Sequence, residues 1–114
     1  MRYALFICED ESAEISAQER SRRAEALATL QDELAVRGVL LGRQCLQPAV
    51  TATTVRAWDG GDVMIGGGPF AETREQIAGF FIVDCADVDE AIEVALRVPA
   101  AWHGTVEVRP VCEM

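Results

Sequence analysis

A run of glycines is the first candidate for chemistry in this chain. Gly66 to Gln76, read GGGPFAETREQ, lies between two apolar stretches. A P-loop carries a lysine and a Ser or Thr after its last glycine, because that lysine and backbone N–H groups hold the phosphates. This stretch has no such lysine, and Pro69 removes one donor. It favours a connecting turn, in which Glu72 and Thr73 either face a cleft or stabilise the turn itself.

The other candidate groups are a histidine, an arginine and an acidic run. His103 is the sole histidine, so it cannot build a multi-histidine metal site, and a catalytic base needs a second group to orient it. Arg56 shares a strand face with Trp58, where it either clamps a carboxylate or lies flat on the ring. The acidic residues from Glu9 to Glu14 match no calcium loop and indicate a solvated segment. The sequence thus identifies no catalytic residue, metal site or cofactor.

Charge and length exclude several classes of protein. Nineteen acidic residues against ten basic ones give a formal charge of -9, which repels nucleic acid and anionic membranes. A chain of 114 residues with half its residues hydrophobic predicts one folded domain, 1–114. The apolar stretch at the N-terminus is too short for a signal peptide or a membrane span. We therefore expect a cytoplasmic protein.

Four cysteines are spread along the chain without a Cys-x-x-Cys pair. Zinc sites need closely spaced ligand pairs, and disulfide scaffolds are shorter and richer in cysteine. A free cysteine behaves as a small hydrophobe. The pattern predicts buried free thiols at Cys8, Cys45, Cys85 and Cys112.

The apolar pattern predicts two helices. Ser16 and Glu19 form a capping box at the start of the first helix, in which both side chains accept from backbone N–H groups, and Gly38 ends it. Asp87 begins the second helix in the same way, and Pro99 stops it. The predicted inward stripes are Ala24, Leu27, Leu30, Leu34 and Ala35 in the first helix, and Val88, Ala91, Ile92, Ala95 and Leu96 in the second.

Strands are predicted around these helices. Unbroken apolar runs indicate strands buried on both faces, whereas alternation by twos indicates an edge strand or one wet face. The Asp59–Asp62 turn contains two glycines and predicts a hairpin. The predicted strands cover residues 2–8, 39–46, 51–58, 63–65, 79–85 and 105–111.

This order predicts an α+β fold, the ferredoxin-like split β-α-β arrangement with an inserted β-hairpin. Two helices cover only one face of the sheet, yet strands 2–8 and 79–85 are apolar on both faces. An uncovered face would expose a larger apolar patch than monomers usually show. We expect a homodimer whose two sheets enclose a barrel-like core, with the Tyr3 hydroxyl lining the space between the halves.

The chain resembles the DGPF family, a branch of the YCII-related proteins. The similarity extends over nearly the whole sequence and includes Leu46-Gln47-Pro48, residues 52–56, residues 68–76, Gly79-Phe80-Phe81, residues 87–91 and residues 106–111. It implies a dimeric α+β barrel and no established reaction. The family usually has aspartate where this chain has Gly67. The histidine and aspartate paired in YCII relatives also have no counterpart in the two helices here.

Two functions follow as hypotheses, and neither decides whether the protein is an enzyme. In the first, the dimer binds a small-molecule ligand between the sheet and the glycine-rich loop, in a pocket lined by Tyr3, Arg56, Phe70, Glu72 and Thr73. In the second, the protein is a non-catalytic regulatory partner. The resemblance suggests this alternative, since DGPF-type genes often lie beside those of extracytoplasmic-function sigma factors.

Overall fold

The fold is seen in a computed structural model that describes residues 1–113. The described chain contains two α-helices, α1 and α2, and six strands, β1 to β6, with short 3-10 turns at Ala49–Thr51 and Pro99–Trp102. The bounds are β1 Arg2–Glu9, α1 Ala17–Val36, β2 Leu40–Cys45, β3 Thr53–Ala57, β4 Val63–Gly67, β5 Gln76–Asp84, α2 Val88–Arg97 and β6 Thr105–Pro110.

Four of the strands form one antiparallel sheet in the order β2-β5-β1-β6. Each helix connects two strands that are separated by a third strand in the sheet, which is the split β-α-β topology of ferredoxin-like domains. Strands β3 and β4 pair only with each other, in register from Thr53 opposite Gly67 to Ala57 opposite Val63. The predicted α+β class and the inserted hairpin are therefore confirmed.

Local signals set the helix ends, with one exception. The Ser16 hydroxyl accepts from the Glu19 N–H at 3.0 Å, and the Asp87 carboxylate accepts from the Glu90 N–H at 2.9 Å. Gly38 follows the first helix with φ +72°, as a C-terminal glycine should. The second half of the predicted capping box is wrong, because the Glu19 carboxylate accepts from the guanidinium groups of Arg22 and Arg23 instead.

The core lies between the helices and one face of the sheet. Alternation along β1 places Tyr3, Leu5 and Ile7 on this face, and Phe81 and Val83 of β5 lie opposite Leu5 and Tyr3. All five are buried, and they form one cluster with Leu30 and Leu34 of α1 and Ala91, Val94 and Ala95 of α2. The helices therefore cover the side chains on only one face of each central strand.

Several predicted inward residues are exposed. Ala24 and Ala35 lie at the surface of α1, which buries Leu30 and Leu34. On α2, Val88, Ile92 and Leu96 are 46%, 43% and 63% exposed. Helix α2 approaches the sheet through its smaller residues, Ala91, Val94 and Ala95, which turns the larger apolar residues outward beside β6. Three of the five residues predicted for the inward stripe of α2 were therefore wrong.

The opposite side of the sheet, called the open face here, carries Ala4, Phe6, Cys8, Ile77, Phe80 and Ile82 on its two central strands, with Glu107 and Arg109 beside them on β6. Both helices lie on the other side, and the molecule is only 19 Å thick, the depth of one sheet and one helix layer. Phe6, Phe80 and Ile82 are half-buried by their neighbours in the sheet. The sheet does not close into a barrel within residues 1–113, so the dimeric barrel stays a prediction.

The β3–β4 hairpin projects from the body of the protein. The radius of gyration is 16.2 Å, whereas a compact domain of this length has about 13 Å. Large apolar side chains cover the hairpin and are exposed, among them Val55 at 65% and Ile65 at 70%. A solvated arm of this composition is unusual for a monomer, because such side chains gain free energy on burial.

Cysteine burial differs from the prediction. Cys85 is buried and Cys8 is half-buried, but Cys45 and Cys112 are exposed because they lie at the end of β2 and beyond β6. All four are free thiols, as expected. No helix within residues 1–113 is long and apolar enough to cross a membrane.

Candidate functional site

The glycine-rich segment forms the exit from β4. Gly66 and Gly67 still belong to the strand, and Gly68 turns the chain with φ +86°, a conformation that other residues rarely adopt. The Gly68 N–H donates to the Ala52 carbonyl at 2.7 Å, and the Thr54 hydroxyl donates to the Gly68 carbonyl at 2.8 Å. The turn is thus tied to the strand beside it, as the interpretation of GGGPFAETREQ as a connection requires.

The second half of the loop is held by its own side chains. The Thr73 hydroxyl donates to the Glu75 carbonyl at 2.6 Å. The Gln76 amide donates to the carbonyls of Ala71 at 3.1 Å and Thr73 at 2.8 Å. These side chains hydrogen-bond to backbone carbonyls of the loop, which has no strand pairing between β4 and β5. Thr73 therefore stabilises the turn, one of the two uses that the sequence left open.

Beneath this loop lies a cavity of about 460 Å³, called the loop cavity. Its walls come from the segment after β2 and from the loop before β5, two regions that lie apart in the sequence. The lining is mainly apolar: Leu46, Gln47, Pro48, Ala49, Thr51, Ala52, Pro69, Ala71, Gln76 and Ile77. A cavity of this size and character is typical of small-molecule sites.

Two acidic residues of the β1–α1 connection fix the walls of the loop cavity. The Glu11 carboxylate accepts from the Ala49 N–H at 2.9 Å, which positions the 3-10 turn after β2. The Asp10 carboxylate accepts from the Arg74 guanidinium at 3.1 Å. Hydrogen bonds from Ser12, and secondarily from Arg74, lower the pKa of Asp10 below its ordinary value. Asp10 and Glu11 are therefore structural here, and residues 1–113 contain no cluster suited to a metal ion.

Arg56 lies between two aromatic rings on the hairpin. Its guanidinium carbon is 5.6 Å from the centre of the Trp58 ring and 5.4 Å from that of Phe70. Both distances suit cation–π contacts. Arg56 and Phe70 also line a shallow cavity of about 280 Å³ with Thr54 and Val55. These contacts favour the second role that the sequence left open for Arg56, in which it packs against aromatic rings.

The structure brings together only part of the predicted pocket. Arg56 and Phe70 are in contact. Glu72 and Thr73 lie in the exposed turn that follows Phe70. Tyr3 is 3% exposed in the helix-side core, and its hydroxyl lies 3.5 Å from the Met1 sulfur. Alternation along β1 explains this position, since Tyr3 shares a face with Leu5 rather than with the open face.

None of the five residues that the sequence placed around a pocket lines the loop cavity. Leu46, Gln47 and Pro48, and then Ala52, belong to segments that carried the family resemblance, so a signal was present. Apolar residues in a connection give no chemical clue by type. The cavity becomes apparent only when the fold brings the segment after β2 close to the loop before β5.

The fold and site define a class of protein: a ferredoxin-like α+β domain with a projecting hairpin and an apolar cavity beneath a glycine-rich loop. The model of the YCII-related domain family matches residues 1–114. The chain belongs to this family. It is also 37% identical over 114 residues to a protein of Rhizobium meliloti (strain 1021) described as uncharacterised, a match that covers 96% of this chain and 91% of that protein. Assignment to the DGPF branch stays a prediction.

Proposed function

We propose that the protein is a cytoplasmic homodimer that binds a small, largely apolar molecule in the loop cavity. The observation that carries the proposal is the open face. Phe6, Phe80 and Ile82 lie there without a covering layer, on strands too apolar for a solvated sheet. A second copy related by a twofold axis presents the same face and would cover both sheets at once.

The hairpin supports the same assembly. It extends beyond the body of the subunit, and its exposed Val55, Val63 and Ile65 offer an apolar surface to a neighbouring subunit. Four free thiols are in keeping with a reducing compartment, where disulfides rarely form.

The loop cavity borders the prospective dimer interface. Ile77 lines the cavity, and it lies opposite Cys8 in the β1–β5 ladder, on the open face. A partner subunit packed on this face would add a wall to the cavity. The polar groups at its edge, such as the Gln47 amide, would orient a ligand whose body contacts apolar side chains.

Sedimentation velocity tests the dimer. We expect a stable dimer at micromolar concentration, and Phe80→Glu should convert it to a monomer, because a charge buried between two sheets lacks compensation. Val36→Glu is the matched control, since Val36 is 89% exposed at the end of α1. A native chain that sediments as a monomer contradicts the proposal.

Melting-temperature shifts with a metabolite library test the ligand. Ala71→Phe should fill part of the loop cavity and abolish any shift seen with the native protein. Ala86→Phe, in the exposed turn before α2, should leave it unchanged. If no compound raises the melting temperature, or Ala71→Phe has no effect on the shift, the site is excluded.

A regulatory role is the second candidate, and an apolar groove between α2 and β6 favours it. The groove has a volume of about 300 Å³ and includes Ile92, Leu96, Val106 and Val108. Edge strands and exposed apolar helix faces are common docking surfaces for proteins. Affinity purification should recover transcription components with the native protein and not with Leu96→Glu. Recovery of none with the native protein removes this candidate.

A further inference from the structure

A second site lies in the helix layer, between the start of α1 and the turn after α2. Its outer part is a cavity of about 220 Å³ lined by Glu9, Asp10, Glu11, Ala13, Ile15, Arg20, Arg23 and His103. An inner part of about 120 Å³ shares Glu9, Arg23 and His103 and continues between Ile7, Ala24, Leu27, Val98, Pro99 and Ala100. We call the two parts together the histidine cleft. It is separate from the loop cavity and from the open face.

The floor of the inner part of the histidine cleft is apolar and buried. Ile7, Val98 and Ala100 are 8%, 1% and 3% exposed, and all three belong to the hydrophobic core. Leu27 packs against the same core from α1. Such a floor suits a small branched aliphatic group, which gains free energy by leaving water.

The charged residues around the outer part divide into two sets. Asp10 and Glu11 are already bonded to the loop and to the 3-10 turn, and Arg23 is paired with Glu19 at 3.0 Å. The side chains of Glu9, Arg20 and His103 form no hydrogen bond or ion pair within residues 1–113.

These three groups line the outer part of the histidine cleft, and Glu9 and Arg20 carry opposite charges. Glu9 carries a carboxylate, Arg20 a guanidinium and His103 an imidazole, and Glu9 and Arg20 do not pair with each other across the cleft. A ligand with a single charge could pair with the Glu9 carboxylate or with the Arg20 guanidinium, but not with both. A ligand with both an ammonium and a carboxylate satisfies both.

We propose that the histidine cleft binds a neutral α-amino acid with a branched aliphatic side chain. The ammonium contacts the Glu9 carboxylate, the carboxylate accepts from Arg20 and His103, and the side chain enters the inner part against Leu27 and Val98. The site does not depend on the loop cavity or on dimer formation.

Three ligands that share an isobutyl group test the charge requirement: L-leucine, 3-methylbutanoate and 3-methylbutylamine. Two-dimensional NMR of the full-length protein follows backbone amides near Ala24, Leu27 and Ala100 during titration. We expect saturable shifts with leucine. Each singly charged analogue should bind roughly tenfold or more weakly, since each lacks one charge-assisted hydrogen-bond partner.

Substitutions locate the binding. Arg20→Gln and Glu9→Gln should each weaken leucine binding roughly tenfold or more. Arg37→Gln and Glu14→Gln are the matched controls, because neither residue lines the histidine cleft or bonds to a side chain that does. Ala24→Met places a longer side chain over the inner part and should abolish binding, whereas Ala28→Met, one turn later on α1, should not. Both alanines are exposed, so the fold should persist.

Two outcomes overturn the proposal. One is the absence of saturable shifts at these amides up to the solubility of leucine. The other is binding that 3-methylbutanoate or 3-methylbutylamine reproduces with equal affinity, or that Arg20→Gln and Ala24→Met leave unchanged. Neither result bears on the proposals for the loop cavity and the dimer, because those are tested with other residues and other measurements.

Discussion

The Arg74 guanidinium donates to the Asp10 carboxylate at 3.1 Å and joins two connections that lie far apart in the sequence. Asp10 follows β1, and Arg74 lies in the loop before β5. Arg74 is 89% exposed and Asp10 is 23% exposed, so the bond lies at the surface. It nevertheless sets the position of the loop that covers the loop cavity, and the same carboxylate accepts from the Ser12 N–H and hydroxyl.

The pKa of Asp10 gives a first prediction. The hydrogen bond from the Ser12 hydroxyl is the largest cause and the one from Arg74 is the next, so Ser12→Ala and Arg74→Gln should each raise the pKa of Asp10 toward its ordinary value. A lowered pKa means that the folded state binds the proton less tightly than the unfolded chain does. The stabilisation is therefore present above the ordinary pKa and is lost as the pH falls through the folded value. Carboxyl-carbon NMR titration measures the shift, with Arg22→Gln as the unaffected control.

Gly104 approaches the backbone of β1 closely and gives a second prediction. A Cβ atom there would lie 2.4 Å from the Cys8 carbonyl oxygen and 3.3 Å from that of Ala100. Gly104→Ala should lower the free energy of unfolding by roughly 1–3 kcal/mol, the usual cost of overpacking. Gly42→Ala is the control, because nothing lies within 4 Å of its added Cβ. Urea unfolding compares the two, and equal stability of both variants would contradict the contact.

Thiol reactivity provides a third prediction. Desolvation raises the pKa of Cys85 and Cys8, which lowers the fraction of reactive thiolate, and Cys85 is also 3% exposed. Cys45 and Cys112 are exposed and should react first with iodoacetamide near neutral pH. Peptide mass spectrometry over time gives the order. Early modification of Cys85 in the folded protein would show that the core is open there.

Two phenylalanines should differ sharply in their effect on stability. Phe81 is fully buried between the helices and the sheet, so Phe81→Ala should cost roughly 3–5 kcal/mol through lost contacts and a cavity. Phe70 is 70% exposed in the glycine-rich loop, and Phe70→Ala should change the free energy of unfolding by about 0.5 kcal/mol or less. Thermal and chemical unfolding of both variants checks this contrast.

The sequence predicted the fold well because its signals are local. Ser16 and Asp87 begin helices through bonds to residues three positions ahead, and Gly38 ends one through its own φ angle. Strand alternation likewise requires only neighbouring residues. These features predicted the order of helices and strands, and hence the ferredoxin-like arrangement. Because two helices cannot cover both faces of an apolar sheet, the sequence also predicted a second covering layer.

Tertiary packing determined which segments of the chain lie close together. Helix α2 packs through Ala91, Val94 and Ala95 and turns Ile92 and Leu96 outward. The sequence by itself determined the elements, their order and the apolar character of the sheet. The loop cavity, and the placement of His103 and Glu9 in one cleft, depend on distances between segments remote in the chain, and periodicity and capping carry no information about such distances.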